Sequence, residues 1–310
     1  GADDKVFPNL IEKANDVATV EIEHAKGKIT LINGDKGWTM KERNGYPARK
    51  VRVQREILGL AELSRWEPKT RLKEKFAKLE LQDLGAKEAK SKRIKVFDSG
   101  GNQLADLIVG KRRANLAGTT TGGVYVRKPG DDQTWLAAGT TDISKERMNW
   151  LERKIVNIEF FRVKDLSSRH PDGETIKISK PTPKAEDFTL ADIPPGKKLS
   201  SKSGPNDIGR SLVDLQLDDV QKDQTPFDAA ATITADVTTF DGLSLKVFLT
   251  KRNHEQWLKI EAAGTEGEGA KKAKAITERT KGWVYKISSY SASSLTKRLK
   301  DLVEDAKPKS

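Results

Sequence analysis

The chain of 310 residues carries 57 Lys and Arg against 45 Asp and Glu, a net charge of +12, with 35% hydrophobic and 33% charged residues. That length is long for one hydrophobic core and suits two, since domains mostly run to roughly 100–150 residues. The absence of cysteine excludes disulfides, thiolate metal sites and a cysteine nucleophile, and no stretch approaches the roughly 20 apolar residues that span a bilayer.

Six Trp and nine Phe among regularly spaced Leu, Ile and Val leave enough apolar surface for packed cores, so the chain reads as globular. Its positive balance favours attraction to nucleic acid, anionic lipid or acidic polymer. The chain opens Gly1-Ala2-Asp3-Asp4 without Met, which we read as a trimmed start from which a signal or anchor has been removed.

In chain order, Pro8 opens a short helix to about Ala14. The period then changes to two: Val20 and Ile22, then Ile29 and Leu31, alternate with polar residues across the turn "AKGK", and the meander ends in a strand at Trp38-Thr39-Met40. Pro47 begins a helix through about Leu63, with Val53, Ile57, Leu60 and Leu63 on one face. A short helix is expected around Arg71 to Leu79. "RIKVFDSGGNQLADLIVGKR" is a hairpin about Ser99-Gly100-Gly101-Asn102, and "GGVYVRKPGDDQTWLAAG" a second about Pro129-Gly130-Asp131-Asp132. Asp142 is placed to cap a following helix, with Glu146 one position later than a capping box wants.

The second half repeats this order. "IVNIEFF" from Ile155 answers "VATVEI" from Val17, with Glu159 matching Glu21; "ETIKIS" answers "KITLIN"; Asp187-Phe188-Thr189-Leu190 answers Gly37-Trp38-Thr39-Met40. A helix near Asp207 to Leu217 stands for the one from Pro47 to Leu63, "TTFDGLSLKVFLTKR" for "KVFDSGGNQLADLIVGKR", and Trp283 with a following basic amphipathic helix for Trp135 and its helix. Correspondences in one order at about 140 to 155 positions' separation predict a tandem duplication. The expected fold class is α+β: two tandem repeats, 1–153 and 154–310, each an antiparallel or mixed β-sheet with packed amphipathic helices. "KPTPKAEDFTLADIPPGKKLSSKSGPND" and "AAGTEGEGAKKAK" read as surface insertions in the second copy.

Catalytic chemistry is not written in the residues. His24, His170 and His254 are mutually remote and read as surface residues of turns and loops, and no His-Glu-x-x-His spacing supports zinc. No Gly-x-Ser-x-Gly elbow is present, and Ser294 with Lys297 lies at a helix start where Ser291, Ser293 or Ser294 serves as a cap. "AGTTTGG" (Ala117 to Gly123) leads into a strand, not a helix, and so is a connection and not a phosphate loop. Asp131-Asp132 and Asp218-Asp219 fall in turns or at a helix end. No catalytic, metal or cofactor residue is expected. A hydrolase would need a deep pocket joining His170 or His254 to buried carboxylates.

Basic clusters remain: Lys111-Arg112-Arg113, Lys197-Lys198, Lys271-Lys272-Lys274 and Lys297-Arg298-Lys300. They are not interleaved with aromatics, which argues against single-strand stacking, and no sequence-specific nucleic-acid reader is legible. Lys111, Arg112, Arg113, Lys197, Lys198, Lys271 and Lys272 are the candidate contacts for an anionic partner.

Taken together, "NDVATVEIEHAKGKITLINGDKGWTMKERNGYPARKVRVQREILGLAELSRWEPKT", "VFDSGGNQLADLIVGK", "GGVYVRKPGDDQTWLAAG" and "TTFDGLSLKVFLTKRN" resemble the bacterial family called domain of unknown function 4340. The resemblance implies an extracytoplasmic, periplasmic protein held at the inner membrane by one N-terminal anchor. It also implies association with ABC-type transport systems akin to those of gliding motility. No catalytic residues come with it. The expectation is a non-enzymatic accessory or scaffolding module of an ABC transport complex, acting by protein–protein interaction through strand edges and helical faces. The alternative is a binding module for an anionic envelope component, phospholipid or cell-wall polymer, through the basic loops.

Overall fold

In the first half, period-two runs pair into one large sheet. The structure, a computed structural model, describes residues 4–307, so the opening Gly1-Ala2-Asp3 lies outside the described residues. The chain divides into two compact units, Gly1–Glu152 and Arg153–Ser310. Both mix helix with antiparallel sheet, an α+β architecture.

The first unit begins with α1 (Leu10–Lys13), then β1 (Val17–His24), β2 (Gly27–Gly34), β3 (Gly37–Met40) and β4 (Tyr46–Pro47). There follow α2 (Lys50–Glu62), β5 (Ser64–Pro68), α3 (Phe76–Leu79), β6 (Lys92–Asp98), β7 (Gln103–Arg113), β8 (Gly123–Arg127) and β9 (Thr134–Ala138). The nine strands form one sheet in the order β4-β3-β2-β1-β6-β7-β8-β9-β5. Register follows the apolar alternation: Ile22 stands opposite Ile29 on one side and Ile94 on the other, and Ile94 opposite Leu107. All four are buried, so a one-residue slip would turn the whole set to water. The helix foreseen from Pro47 starts at Lys50, because Pro47 pairs with Thr39 and Ala48 N–H donates to the Trp38 carbonyl. Val53, Ile57, Leu60 and Ala61 make its buried stripe.

The second unit runs β10 (Lys154–Val156), β11 (Val163–Arg169), β12 (Thr175–Ser179), β13 (Thr189–Leu190), β14 (Lys197–Leu199), α4 (Ser203–Gly209), β15 (Leu215–Gln216) and β16 (Asp219–Lys222). It continues with β17 (Thr232–Thr239), β18 (Leu243–Arg252), β19 (Glu255–Gly264), α5 (Gly267–Thr280), β20 (Trp283–Ile287), α6 (Ser289–Ser293), α7 (Leu299–Leu302) and β21 (Val303–Asp305). Its main sheet is ordered β13-β12-β11-β17-β18-β19-β20-β16, and two ribbons, β10-β15 and β14-β21, stand beside it.

Several elements differ from the sequence expectation. "IVNIEFF" is not a strand of the main sheet. Ile155, Val156 and Ile158 are all buried, without alternation, and only Lys154–Val156 is extended, against β15; the sheet strand is β11, where Leu166 and Ser168 point inward. Glu159 lies at a turn and pairs with Arg162. The helix near Asp207 ends at Gly209, because Leu215 and Gln216 are needed by β10. "AAGTEGEGAKKAK" is no loop: it holds the end of β19 and the first half of α5, whose Ala273, Ile276 and Thr280 are buried at helical spacing.

No helix follows β9. The segment from Asp142 is irregular up to one turn at Arg147–Asn149, and the basic helix expected after Trp283 is two short pieces, α6 and α7, the first capped by Ser288 and not by Ser291, Ser293 or Ser294. His170, read as a surface residue, is 4% exposed, and its Nε2 lies 3.1 Å from the Lys297 carbonyl oxygen. Among the described residues no helix is long and apolar enough to cross a membrane.

Candidate functional site

Three stretches of the first unit, remote in sequence, meet around a polar cleft of about 680 Å³ lined by Arg52, Glu80, Lys90, Lys92, Asp142, Ser144, Lys145, Glu146 and Asn149. Each stretch is held by identifiable packing. The first is α2. Its buried stripe fixes the helix's rotation and so presents Arg52 beside the cleft and puts Glu56, 6% exposed, on the inner side. The Arg52 guanidinium lies 5.0 Å above the ring of Trp150, a fully buried side chain, and its Nε makes no hydrogen bond to protein.

The second stretch links α3 to β6. Phe76, Leu81 and Ile108 form a small core, and Arg127 clamps it: Nε and Nη2 donate to the Leu81 carbonyl at 3.0 and 2.8 Å, Nη2 reaches Asp83 at 2.6 Å, and the guanidinium covers Phe76 at 4.5 Å. Gly110 of β7 lets the chain come closer still, since a Cβ there would collide with the carbonyls of Leu79 and Glu80. Ser91, buried, donates to the Gln82 carbonyl at 2.5 Å. The positions of Glu80, Lys90 and Lys92 follow from these anchors.

The third stretch is the segment after β9. Trp150 Nε1 donates to the Ser144 carbonyl at 2.8 Å, while Ser144 Oγ accepts from Glu146 N–H at 3.1 Å and Asn149 Nδ2 at 2.7 Å. These local bonds replace the expected helix. Asp142 caps nothing; its N–H donates to Glu56 Oε2 at 3.4 Å.

The electrostatics are unusual. Arg52, Lys90, Lys92 and Lys145 line the cleft with Glu80, Asp142 and Glu146, yet among the described residues none of the seven is at salt-bridge distance from another charged group. Burial pushes the Glu56 carboxyl up to about 7, against smaller opposing effects of the Asp142 N–H and Arg52. Burial likewise lowers the Lys92 ammonium. His24, at the end of β1, is held below its ordinary value by burial first and then by the cations of Lys145 and Arg147. Charges of both signs thus line the cleft without direct pairing, with the raised Glu56 carboxyl on the inner side of α2.

The second unit has a smaller cleft between the stretch from α4 to β15 and the segment after β20. It measures about 250 Å³ and is lined by Asp207, Arg210, Ser211, Tyr290, Ser294 and Lys297. Here too an arginine is stacked: Arg210 lies 4.5 Å above Phe160.

Most of the basic residues singled out in the sequence make contacts within the chain. Arg112 donates to the carbonyls of Gly139 at 2.6 Å, Thr141 at 3.1 Å and Thr121 at 2.5 Å, tying the "AGTTTGG" connection to the end of β9. Lys197 pairs with Asp305 and Lys198 with Glu304 across the β14-β21 ribbon, at 2.6 and 3.5 Å. Lys271 pairs with Glu268 along α5 at 3.8 Å, and Lys272 with Asp241 at 2.5 Å. Lys111 and Arg113 are exposed on β7. None of the seven lines the larger cleft. Its own cations are scattered singly through the sequence, and only the spacing of Arg52 and Glu56 on one helix hinted at them. Among the described residues no group of three or more His, Asp or Glu is placed to hold a metal ion.

A family model described as domain of unknown function (DUF4340) matches residues 38–253. The chain belongs to that family. The matched segment runs from Trp38 of β3 to the turn between β18 and β19 and contains every residue of the larger cleft. No curated protein and no solved structure matches the chain.

Proposed function

We propose that the chain is a non-enzymatic, extracytoplasmic module that serves an ABC-type transport complex as an accessory or scaffold, periplasmic and anchored at the inner membrane, and that it works by recognising a partner protein. The observation that carries this is the larger cleft. Its seven charges of both signs make no salt bridge among the described residues, which suits a partner surface of mixed, complementary charge. Helix α2 also exposes Val51, next to Arg52 in the chain, and Leu58, which lines a separate cleft with Trp38 and Gln54. The family resemblance supplies the setting. We also infer that the two units descend from one duplicated unit, since β13-β12-β11-β17-β18-β19-β20-β16 follows β3-β2-β1-β6-β7-β8-β9-β5 place for place.

The test is crosslinking of the full-length, anchored protein in its native host, followed by capture and mass spectrometry. Recovery of an ABC permease or auxiliary subunit, lost when Arg52 and Lys92 are both changed to Gln, is the expected result. Recovery of no transport component overturns the reading.

A second reading, binding of an anionic envelope component, is favoured by the convergence of Arg52, Lys90, Lys92 and Lys145 on one cleft. It moves from the basic loops, whose charges are largely spent internally, to this site. Binding that does not weaken with salt would remove its basis.

A further inference from the structure

Around the larger cleft, charged groups of both signs from separate stretches of the first unit converge without a salt bridge among the described residues. Several cations elsewhere in the unit are matched directly: Arg93 holds Asp106 at 2.7 Å, Lys95 holds Glu23 at 3.3 Å, and buried Arg127 holds Asp83 at 2.6 Å. At the cleft, four cations from three separate stretches face three carboxylates with none of them joined. Charges of both signs that converge without direct pairing keep hydrogen-bonding capacity for a ligand that itself carries both signs.

The complement can be read from the groups themselves. Arginine's planar fork suits a tetrahedral or planar oxyanion, and Arg52 is already immobilised by its stack on Trp150, so little of its freedom remains to be lost on binding. Lys92 is partly withdrawn from water, and an anion would restore to its ammonium the stabilisation that burial removes. Glu80, Asp142 and Glu146 require the opposite: hydrogen-bond donors or a positive charge. At about 680 Å³ the cleft is also far larger than a bare oxyanion and lies in the range of roughly 300–1,000 Å³ used for organic ligands. A ligand that carries both a phosphate and an amine meets both sets of groups.

We propose that the cleft is a receptor for a zwitterionic phosphate ester of the phosphoethanolamine type, its phosphate engaged by Arg52 and Lys92 and its ammonium by the carboxylates of Asp142 and Glu146. This deepens the second reading above and rests on it. The same chemistry occurs as a soluble ester and as a lipid headgroup, and the experiment separates the two.

The intact chain is titrated calorimetrically with O-phosphoethanolamine, with inorganic phosphate and with ethanolamine. The ester binds at least tenfold more tightly than either half alone. Arg52→Gln and Lys92→Gln each lose at least tenfold, while Lys246→Gln, on β18 of the other unit, leaves binding unchanged; circular dichroism and the urea midpoint establish that every variant is folded. Equal affinity for the ester and for inorganic phosphate denotes an adventitious ion only and overturns the proposal, as does ester binding that Arg52→Gln leaves intact.

Flotation with vesicles then identifies the source. Retention on phosphatidylethanolamine over phosphatidylcholine points to the lipid headgroup, and calorimetric binding without flotation to the soluble ester, and either supports the proposal. Salt-sensitive flotation on phosphatidylglycerol vesicles with no calorimetric signal for the ester overturns the proposal while leaving the anionic reading standing. No binding in any arm removes both.

Discussion

Glu56 is the residue where burial and charge meet most directly. It lies 6% exposed on the buried stripe of α2, with one N–H, that of Asp142, donating to it. The carboxyl is raised from 4.5 to about 7 in the folded chain. The native state therefore binds the extra proton between those values, and this group's contribution to stability is full below pH 4.5, falls as pH rises to about 7 and is flat above it. Raising a carboxyl by one pH unit corresponds to about 1.4 kcal/mol, so the whole effect is on the order of 3 kcal/mol. Glu56→Gln keeps an acceptor for the Asp142 N–H and abolishes the ionisation. The variant is expected to exceed the parent in urea unfolding free energy by about 1–3 kcal/mol at pH 8 and to match it near pH 4.5. An equal difference at both values would show that the carboxyl does not titrate in this range. A glutamate between Arg55 and Ile57 reads in the sequence as one more surface charge, and only the closing of the segment after β9 over α2 makes it otherwise.

At the scale of elements, strands were legible and helices much less so. The hairpins β1-β2, β6-β7 and β8-β9 stand where alternation and turn residues put them, because strand burial is enforced residue by residue along a ladder. The cleft was illegible for the opposite reason: two of its three walls are irregular segments fixed by single anchors, the long-range one from Arg127 to the Leu81 carbonyl and the local one from Trp150 to Ser144. Helix α5 was concealed by its glycines. "GTEGEG" has the composition of a loop, but Gly269 is where the helix backbone rests directly on the turn after β17, and a Cβ there would collide with backbone atoms of Asp241 and Gly242. Two effects oppose each other in Gly269→Ala. Helix propensity favours alanine by about 1 kcal/mol, whereas overpacking typically costs about 1–3 kcal/mol. With backbone as the obstructing atoms the second prevails, and urea unfolding should show a net loss of about 1 kcal/mol or more. A gain in stability would mean that α5 stands off the sheet and that its glycines serve no packing purpose.

For the whole molecule, the physical content of the duplication inference is that one unit is enough to make a core. Each unit closes its own sheet: nine strands in the first, eight in the second, with the long partners β1-β6, β6-β7, β17-β18 and β18-β19 adjacent in space. Most of these pairings are hairpins or short returns, so loop-closure entropy stays small within a unit. A chain of about 150 residues buries roughly 68–70% of its unfolded surface, enough for independent stability. Residues 1–152 and 153–310, expressed separately, should therefore each give a strand-rich circular dichroism spectrum and a single cooperative urea transition. The slope of each transition should be near half that of the intact chain if the exposed area divides evenly. A segment that binds hydrophobic dye and melts without cooperativity would show that the unit does not suffice for folding. The matching strand orders would then have to be explained by a fold reached only as a pair, and an ancestor of one unit could not have stood alone.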